Sequence, residues 1–183
     1  MNRLKEKYVK ELKPQLQKQL GLDNVNAVPQ IKKVVVNVGV GKTLKDPKLL
    51  EAIINDLKTI TGQMPVKTLA RKSIAGFKIR ENQVVGLIVT LRGRRMYDFL
   101  DKLVNAAMPR IRDFRGIPAE SFDGRGNYHV GIREQLVFPE ISEESIDHVF
   151  SMEISIVTNA RQDDRARELL KSMGFPFSSE QTK

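Results

Sequence analysis

Residues 34–43 read VVVNVGVGKT, a run of valines that closes on Gly39, Gly41, Lys42 and Thr43. Bare backbone beside a lysine and a hydroxyl, at the end of a β-branched run, is the chemistry of phosphate binding. Spacing decides which phosphate. A Walker A loop needs a glycine five positions before Gly41, where this chain has Val36 inside the apolar run. A dinucleotide fingerprint needs a third glycine at position 44, which is Leu44. The best helix start is Asp46-Pro47, too late to cradle a nucleotide. Both enzyme readings therefore fail. Two readings remain open from the glycines alone: they let the chain turn between strand and helix, or they let a nucleic-acid phosphate approach backbone beside Asn37 and Lys42.

The segment RKSIAGFKIREN, residues 71–82, sets Arg71, Lys72, Lys78 and Arg80 around Ser73, Ile74, Ala75, Gly76 and Phe77. Cations neutralise phosphates, and an exposed aromatic or aliphatic tip can stack on an unpaired base or pack on a sugar. The bland reading is a surface loop whose Ile74 and Phe77 fold back on the core; an interaction surface is favoured over it, with Gly76 letting the tip bend. A second arginine-rich stretch places Arg110, Arg112, Arg115 and Arg125 near Phe114 and Phe122. It reads equally as a contact surface or as satellite core with solvated arginines. Residues 139–147, PEISEESID, form an acidic loop. His129 and His148 have no nucleophile or carboxylate at diagnostic spacing, so no catalytic or metal site is expected, and no cofactor.

The elements that must position these groups follow from periodicity. Leu4, Tyr8, Leu12, Leu16 and Leu20 recur every four residues, a helix that Pro14 should kink or divide into two pieces. Residues 31–40 alternate, with Val34, Val36, Val38 and Val40 on one face and Lys33, Val35, Asn37 and Gly39 on the other. Asp46 and Pro47 open a helix with Leu49, Leu50, Ile53, Ile54, Leu57 and Ile60 as its buried stripe, stopped by Gly62. Strands are expected over 65–71, 84–92, 128–138 and 149–157, and helices over 95–108 and 163–173. On 84–92, Leu87, Val89 and Leu91 point inward while Gly86, Ile88, Thr90 and Arg92 line the opposite face. About five strands and four helices, not in strict alternation, predict an α+β fold: one domain over 1–183 with a mixed, partly antiparallel sheet. A flexible tail is expected from about residue 178.

The chain has 183 residues, no cysteine and a formal net charge of +9. One well-buried domain is the expectation at this length. The basic excess favours a polyanionic partner, and the missing cysteines rule out disulfides and thiolate metal sites. No window approaches the roughly 20 apolar residues of a membrane span, and MNRLKEKYVKELK has no apolar leader core. A soluble cytoplasmic protein with no membrane partner is expected.

Taken in order, VVVNVGVG, TGQMPVKTLARKSIAGFKIRE, VTLRG, RDFRG, FDGRGNYHVGIREQLVFPEI and NARQDDRARELLKSMGFPF make the chain resemble the bacterial large-subunit ribosomal protein five family, from about residue 2 to about residue 178. The resemblance implies an α+β domain whose open sheet face binds 5S rRNA in the central protuberance, through Lys33, Asn37, Gly39, Gln63, Thr90 and Arg92. It implies that the loop from Arg71 to Arg80 contacts P-site tRNA, and that large-subunit rRNA and neighbouring ribosomal proteins are partners. A bridge to a small-subunit head protein would fall near Arg110, Arg112, Arg115, Glu140, Glu143 and Glu144. The glycines at 39 and 41 then meet an RNA backbone; Lys42 acts only as a distant cation, and Thr43 holds no magnesium. The rival readings are a free RNA chaperone or regulator using the same face, told apart by competition between 5S rRNA and unrelated structured RNA, and an NTP-dependent enzyme, told apart by nucleotide titration.

Overall fold

A computed structural model describes residues 3–41, 46–141 and 148–178. The chain opens with α1 (Arg3–Lys7), a wide-turned helical segment (Tyr8–Leu12) and α2 (Lys13–Gln19). Pro14 stands in the first turn of α2, which the widened turn divides from α1. The Lys13 amide reaches back five residues to the Tyr8 carbonyl, and the widened turn accommodates a ring that would clash with a carbonyl four residues earlier. The same device recurs ahead of Pro109.

The strand β1 (Ile31–Gly39) leads to Asp46, whose carboxylate accepts from the Lys48 and Leu49 amides and caps α3 (Pro47–Thr61). Ile53, Ile54, Leu57 and Ile60 of α3 are buried, and Leu49 and Leu50 half-buried. Gly62, at φ 66°, ends the helix. Then come β2 (Val66–Leu69), β3 (Val84–Leu91) and α4 (Gly93–Lys102). The helix continues through a wide-turned Leu103–Ala107, where the Met108 amide bonds the Leu103 carbonyl, and a tight Met108–Arg110. The last elements are β4 (Tyr128–Ile132), β5 (Met152–Thr158) and α5 (Asp163–Ser172). The fold is α+β, as the mixed periodicity predicted.

The strands form one open sheet in the order β2-β3-β1-β5-β4. The edge strand β2 pairs antiparallel with β3, Val66 opposite Ile88 and Thr68 opposite Gly86. Contacts divide the chain into two compact units, one of Met1–Val34, Leu91–Val130 and Ser155–Lys183, the other of Val35–Thr90 and Gly131–Ile154. In the first unit, α1 packs against α4, and Arg3 pairs with Asp101 at 3.2 Å. Tyr8 in that unit donates its hydroxyl to the Pro29 carbonyl at 2.7 Å, which satisfies a buried phenol. In the second, Val36, Val38, Ile53, Leu57, Leu87, Val89 and Ile154 are core.

Two strands are shorter than expected. The run over 128–138 keeps strand form only to Ile132. At Gln135 a tight turn sends a wholly buried side chain inward, where its amide donates to the His148 carbonyl at 2.8 Å and accepts from the Phe150 amide at 2.9 Å. That clamp displaces strand pairing. The run over 65–71 pairs only from Val66 to Leu69, with a register shift between Thr68 and Leu69.

Candidate nucleic-acid interface

Alternation along β1 sorts the side chains as predicted from Val34 onward. Val34, Val36, Val38 and Val40 are buried, Lys33 and Val35 are half-buried, and Asn37 and Gly39 are exposed. Neither Gly39 nor Gly41 adopts a positive φ, and a Cβ added at either would meet nothing within 4 Å. The turn therefore does not need these glycines for its conformation. What they provide is uncovered backbone, the condition for close approach of a phosphodiester. Lys42 and Thr43 lie outside the described residues.

In the second unit, Asn37 and Gly39 line a cleft of about 430 Å³ together with Gly131, Ile132, Arg133, Ser151, Met152 and Glu153. Gly131 matches Gly39: a Cβ there would also meet nothing. The cleft offers a neutral amide, a hydroxyl, a guanidinium and a carboxylate over bare backbone, a set able to contact phosphate, sugar hydroxyl and base edge. Gly131, Arg133, Ser151 and Glu153 escaped sequence reasoning. Their signal is the parity of β4 and β5, where these positions alternate with buried Val130, Ile132, Met152 and Ile154.

Two further expected residues meet in the same unit. After Gly62 the Thr61 hydroxyl donates to the Leu57 carbonyl at 2.6 Å and lies 3.0 Å from the Gln63 carbonyl. The Gln63 amide proton returns to that hydroxyl at 3.3 Å. So braced, Gln63 donates its side-chain amide to the Thr90 carbonyl, 3.3 Å away. Lys33 and Arg92 belong to the other unit; Arg92 is exposed, in extended backbone at the N-cap of α4.

Gly86 is a correction. Expected on the exposed face, it is buried, because the Thr68 side chain opposite occupies the space where its Cβ would stand, with Oγ1 2.7 Å from that point and the Val38 carbonyl oxygen 3.3 Å from it.

The basic loop is ordered as a small hairpin. Ile74 and Ile79 exchange backbone hydrogen bonds of 2.9 and 3.2 Å, and the Glu81 amide donates to Ser73 Oγ at 2.9 Å. Arg71, Lys72, Ser73, Ile74, Ala75, Gly76, Phe77, Lys78 and Arg80 are all exposed, Phe77 to 74% and Ile74 to 47%. The fold-back reading of this loop is thus overturned. Gly76 lies within the tight turn Ala75–Phe77 at the tip without a positive φ; the left-handed residues are Lys78 at φ 54° and Asn82 at φ 63°. Among the described residues, no acid pairs with Arg71, Lys72, Lys78 or Arg80. Two large apolar groups held in water amid unpaired cations mark a contact surface.

Arg110, Arg112, Arg115 and Glu140 are exposed; Glu143 and Glu144 lie outside the described residues. The aromatic reading of this region resolves toward core: Phe122 packs on Tyr128 and Phe177 with ring centroids 4.8 and 6.2 Å away, under the Arg167 guanidinium. His129 holds Ser155 Oγ at 3.0 Å, and His148 Nε2 lies 3.2 Å from Asp56 Oδ2, both side chains largely buried. Burial raises the Asp56 carboxyl above the usual carboxylate range, and the attraction of His148 offsets this only in part. No helix among the described residues is long and apolar enough to cross a membrane.

The open sheet with its polar, glycine-floored cleft and the cationic, aromatic-tipped hairpin fit an RNA-binding structural protein. Comparison with known proteins supplies the family. The model described as Ribosomal protein L5 matches residues 24–80, and the model for the C-terminus of the same ribosomal family matches residues 84–177. Large ribosomal subunit protein uL5 of Syntrophomonas wolfei is 55% identical over 177 residues, 97% of this chain and 99% of that relative. The protein of the same name from Halothermothrix orenii is 55% identical over 178 residues, covering 97% and 99%. That of Francisella tularensis subsp. novicida is 56% identical over 179 residues, covering 98% and 100%. The chain belongs to the ribosomal protein L5 family, a structural constituent of the large ribosomal subunit and not an enzyme. Its partners are therefore large-subunit rRNA and ribosomal proteins, and its place of work is the bacterial cytoplasm.

Proposed function

We propose that this protein anchors 5S rRNA in the large subunit through the open face of its sheet, with Asn37, Gly39, Gln63 and Thr90 as the register-setting contacts and Lys33 and Arg92 as further cations. The observation that carries this reading is the cleft at Asn37 and Gly39, with unobstructed backbone on two strands and polar groups around it. Binding is charge neutralisation with a few hydrogen bonds fixing position. The exposed hairpin carrying Ile74 and Phe77 is the surface offered to P-site tRNA. Arg110, Arg112, Arg115 and Glu140, with Glu143 and Glu144 beyond the described residues, are offered to a small-subunit head protein.

The test is a titration of the full chain with 5S rRNA over a range of salt. With about six phosphates neutralised, log K falls against log salt with a slope of about −4 to −5. A flat response, or equal binding to an unrelated structured RNA, rejects the reading.

A further inference from the structure

Two turns in the first unit lock together. Asp163 accepts from the amides of Gly124 at 3.1 Å and Gly126 at 2.8 Å. Asp123 accepts from the amides of Arg125 at 2.8 Å and Asn127 at 3.0 Å, and from the Asn127 side chain at 2.7 Å. The buried Thr158 hydroxyl donates to the Gly126 carbonyl at 2.7 Å and accepts from the Ala160 amide at 3.0 Å. The turns nest because position 126 has no side chain: a Cβ there would stand 3.1 Å from the Arg161 amide nitrogen. Gly126 directly follows Arg125, so the backbone bearing Arg125 runs beside that bearing Arg161.

Both arginines are exposed, and neither pairs with an acid among the described residues. Arg125 sits between Gly124 at φ 77° and Gly126 at φ 80°, and Arg161 itself is left-handed at φ 59°. A non-glycine residue held in that region costs on the order of 1 kcal/mol. The nearby carboxylates of Asp123 and Asp163 each accept from amides of the turns.

We infer that Arg125 and Arg161 form a pre-set pair of phosphate ligands for the backbone of large-subunit rRNA, separate from the contacts of the sheet face. Two guanidiniums carried on backbones that these turns fix suit neighbouring phosphates on a strand, since the fork geometry of arginine matches phosphate oxygens. The inference rests on membership of a ribosomal family and on these turns, and does not require the 5S reading.

The experiment measures binding of the full chain to deproteinised large-subunit rRNA and, separately, to 5S rRNA, from about 0.05 to 0.3 M KCl. In the double variant Arg125→Ala/Arg161→Ala the slope of log K against log salt flattens by about 1.5 on at least one of the two RNAs, the share of two phosphates. The pair Arg125→Lys/Arg161→Lys keeps the charge and restores the slope. Asn37→Ala serves as the separate control: it weakens 5S binding at unchanged slope if the sheet face binds, whatever the arginines do. An unchanged slope on both RNAs overturns the inference. So does a lysine pair that behaves as the alanine pair does, for that outcome means the turns have lost their shape and not merely their charge.

Discussion

Gln63 and Thr90, 27 positions apart in sequence, are joined by a hydrogen bond from the Gln63 side-chain amide to the Thr90 carbonyl, 3.3 Å long. One side of the Gln63 amide is thereby fixed to the end of β3, and its Oε1 receives no donor from the described residues. A glutamine held this way presents an acceptor of set direction to a sugar hydroxyl or a base amino group. Gln63→Ala should weaken 5S rRNA binding by about 1 kcal/mol, close to fivefold in Kd, at unchanged salt slope. Filter binding beside a thermal melt checks it. A fall in Tm matching the loss of affinity would assign Gln63 to folding alone.

The hairpin is separable from the sheet face. Its closing bonds run between Ile74 and Ile79, and its side chains from Arg71 to Lys78 are exposed. Deleting residues 73–79 should leave 5S binding largely intact while ribosomes carrying the deletion engage P-site tRNA poorly. Phe77→Ala should reproduce part of that defect. Loss of 5S binding on deletion would show that the division of surfaces is wrong.

Gly86 is a stability position despite its place on β3. Gly86→Ala should cost about 1–3 kcal/mol, the range for overpacking, because a Cβ would meet Thr68 Oγ1 at 2.7 Å and the Val38 carbonyl oxygen at 3.3 Å. Denaturant unfolding measures this. Adding Thr68→Ala should recover most of the loss, leaving the residue set by the Val38 backbone.

The Asp56 carboxyl, lifted by burial, gives a pH dependence of definite sign. Its folded pKa exceeds its unfolded one, so the folded state holds the proton more tightly. Asp56 therefore favours folding most at low pH, and this contribution is lost as pH rises from about 4, its unfolded value, through the raised folded value. In Asp56→Asn the loss in that window should disappear, which shows as a difference between the two stability-versus-pH curves. Parallel curves would contradict the assignment.

Much of the sheet face was legible because alternation is a local signal. Val34, Val36 and Val38 buried against Asn37 and Gly39 exposed follow from a period of two. The Asp46 cap and the Gly62 stop are equally local. What escaped depends on partners distant in sequence. Gly86 is covered by a threonine on the next strand. Gln135 ends an apparent strand because its amide finds the backbone at His148 and Phe150. The far side of the cleft, at Gly131, Arg133, Ser151 and Glu153, is assembled by a strand order that no period reveals.

The wide helical turns have a consequence for how this chain could vary. Leu4, Tyr8, Leu12 and Leu16 are all buried although spaced strictly by four. In a regular helix each such step overshoots a full rotation by about 40°, so the stripe would slide about 120° around the rod. The expanded turn behaves as one surplus residue that resets the phase. Excising one of the exposed residues Val9, Lys10 or Glu11 would leave the same four side chains facing inward on an ordinary helix, spaced four, three, four. That shorter helix has no room for the ring of Pro14, whose clash is of order 3 kcal/mol. The excision is therefore damaging while Pro14 stays and tolerated once Pro14 is replaced.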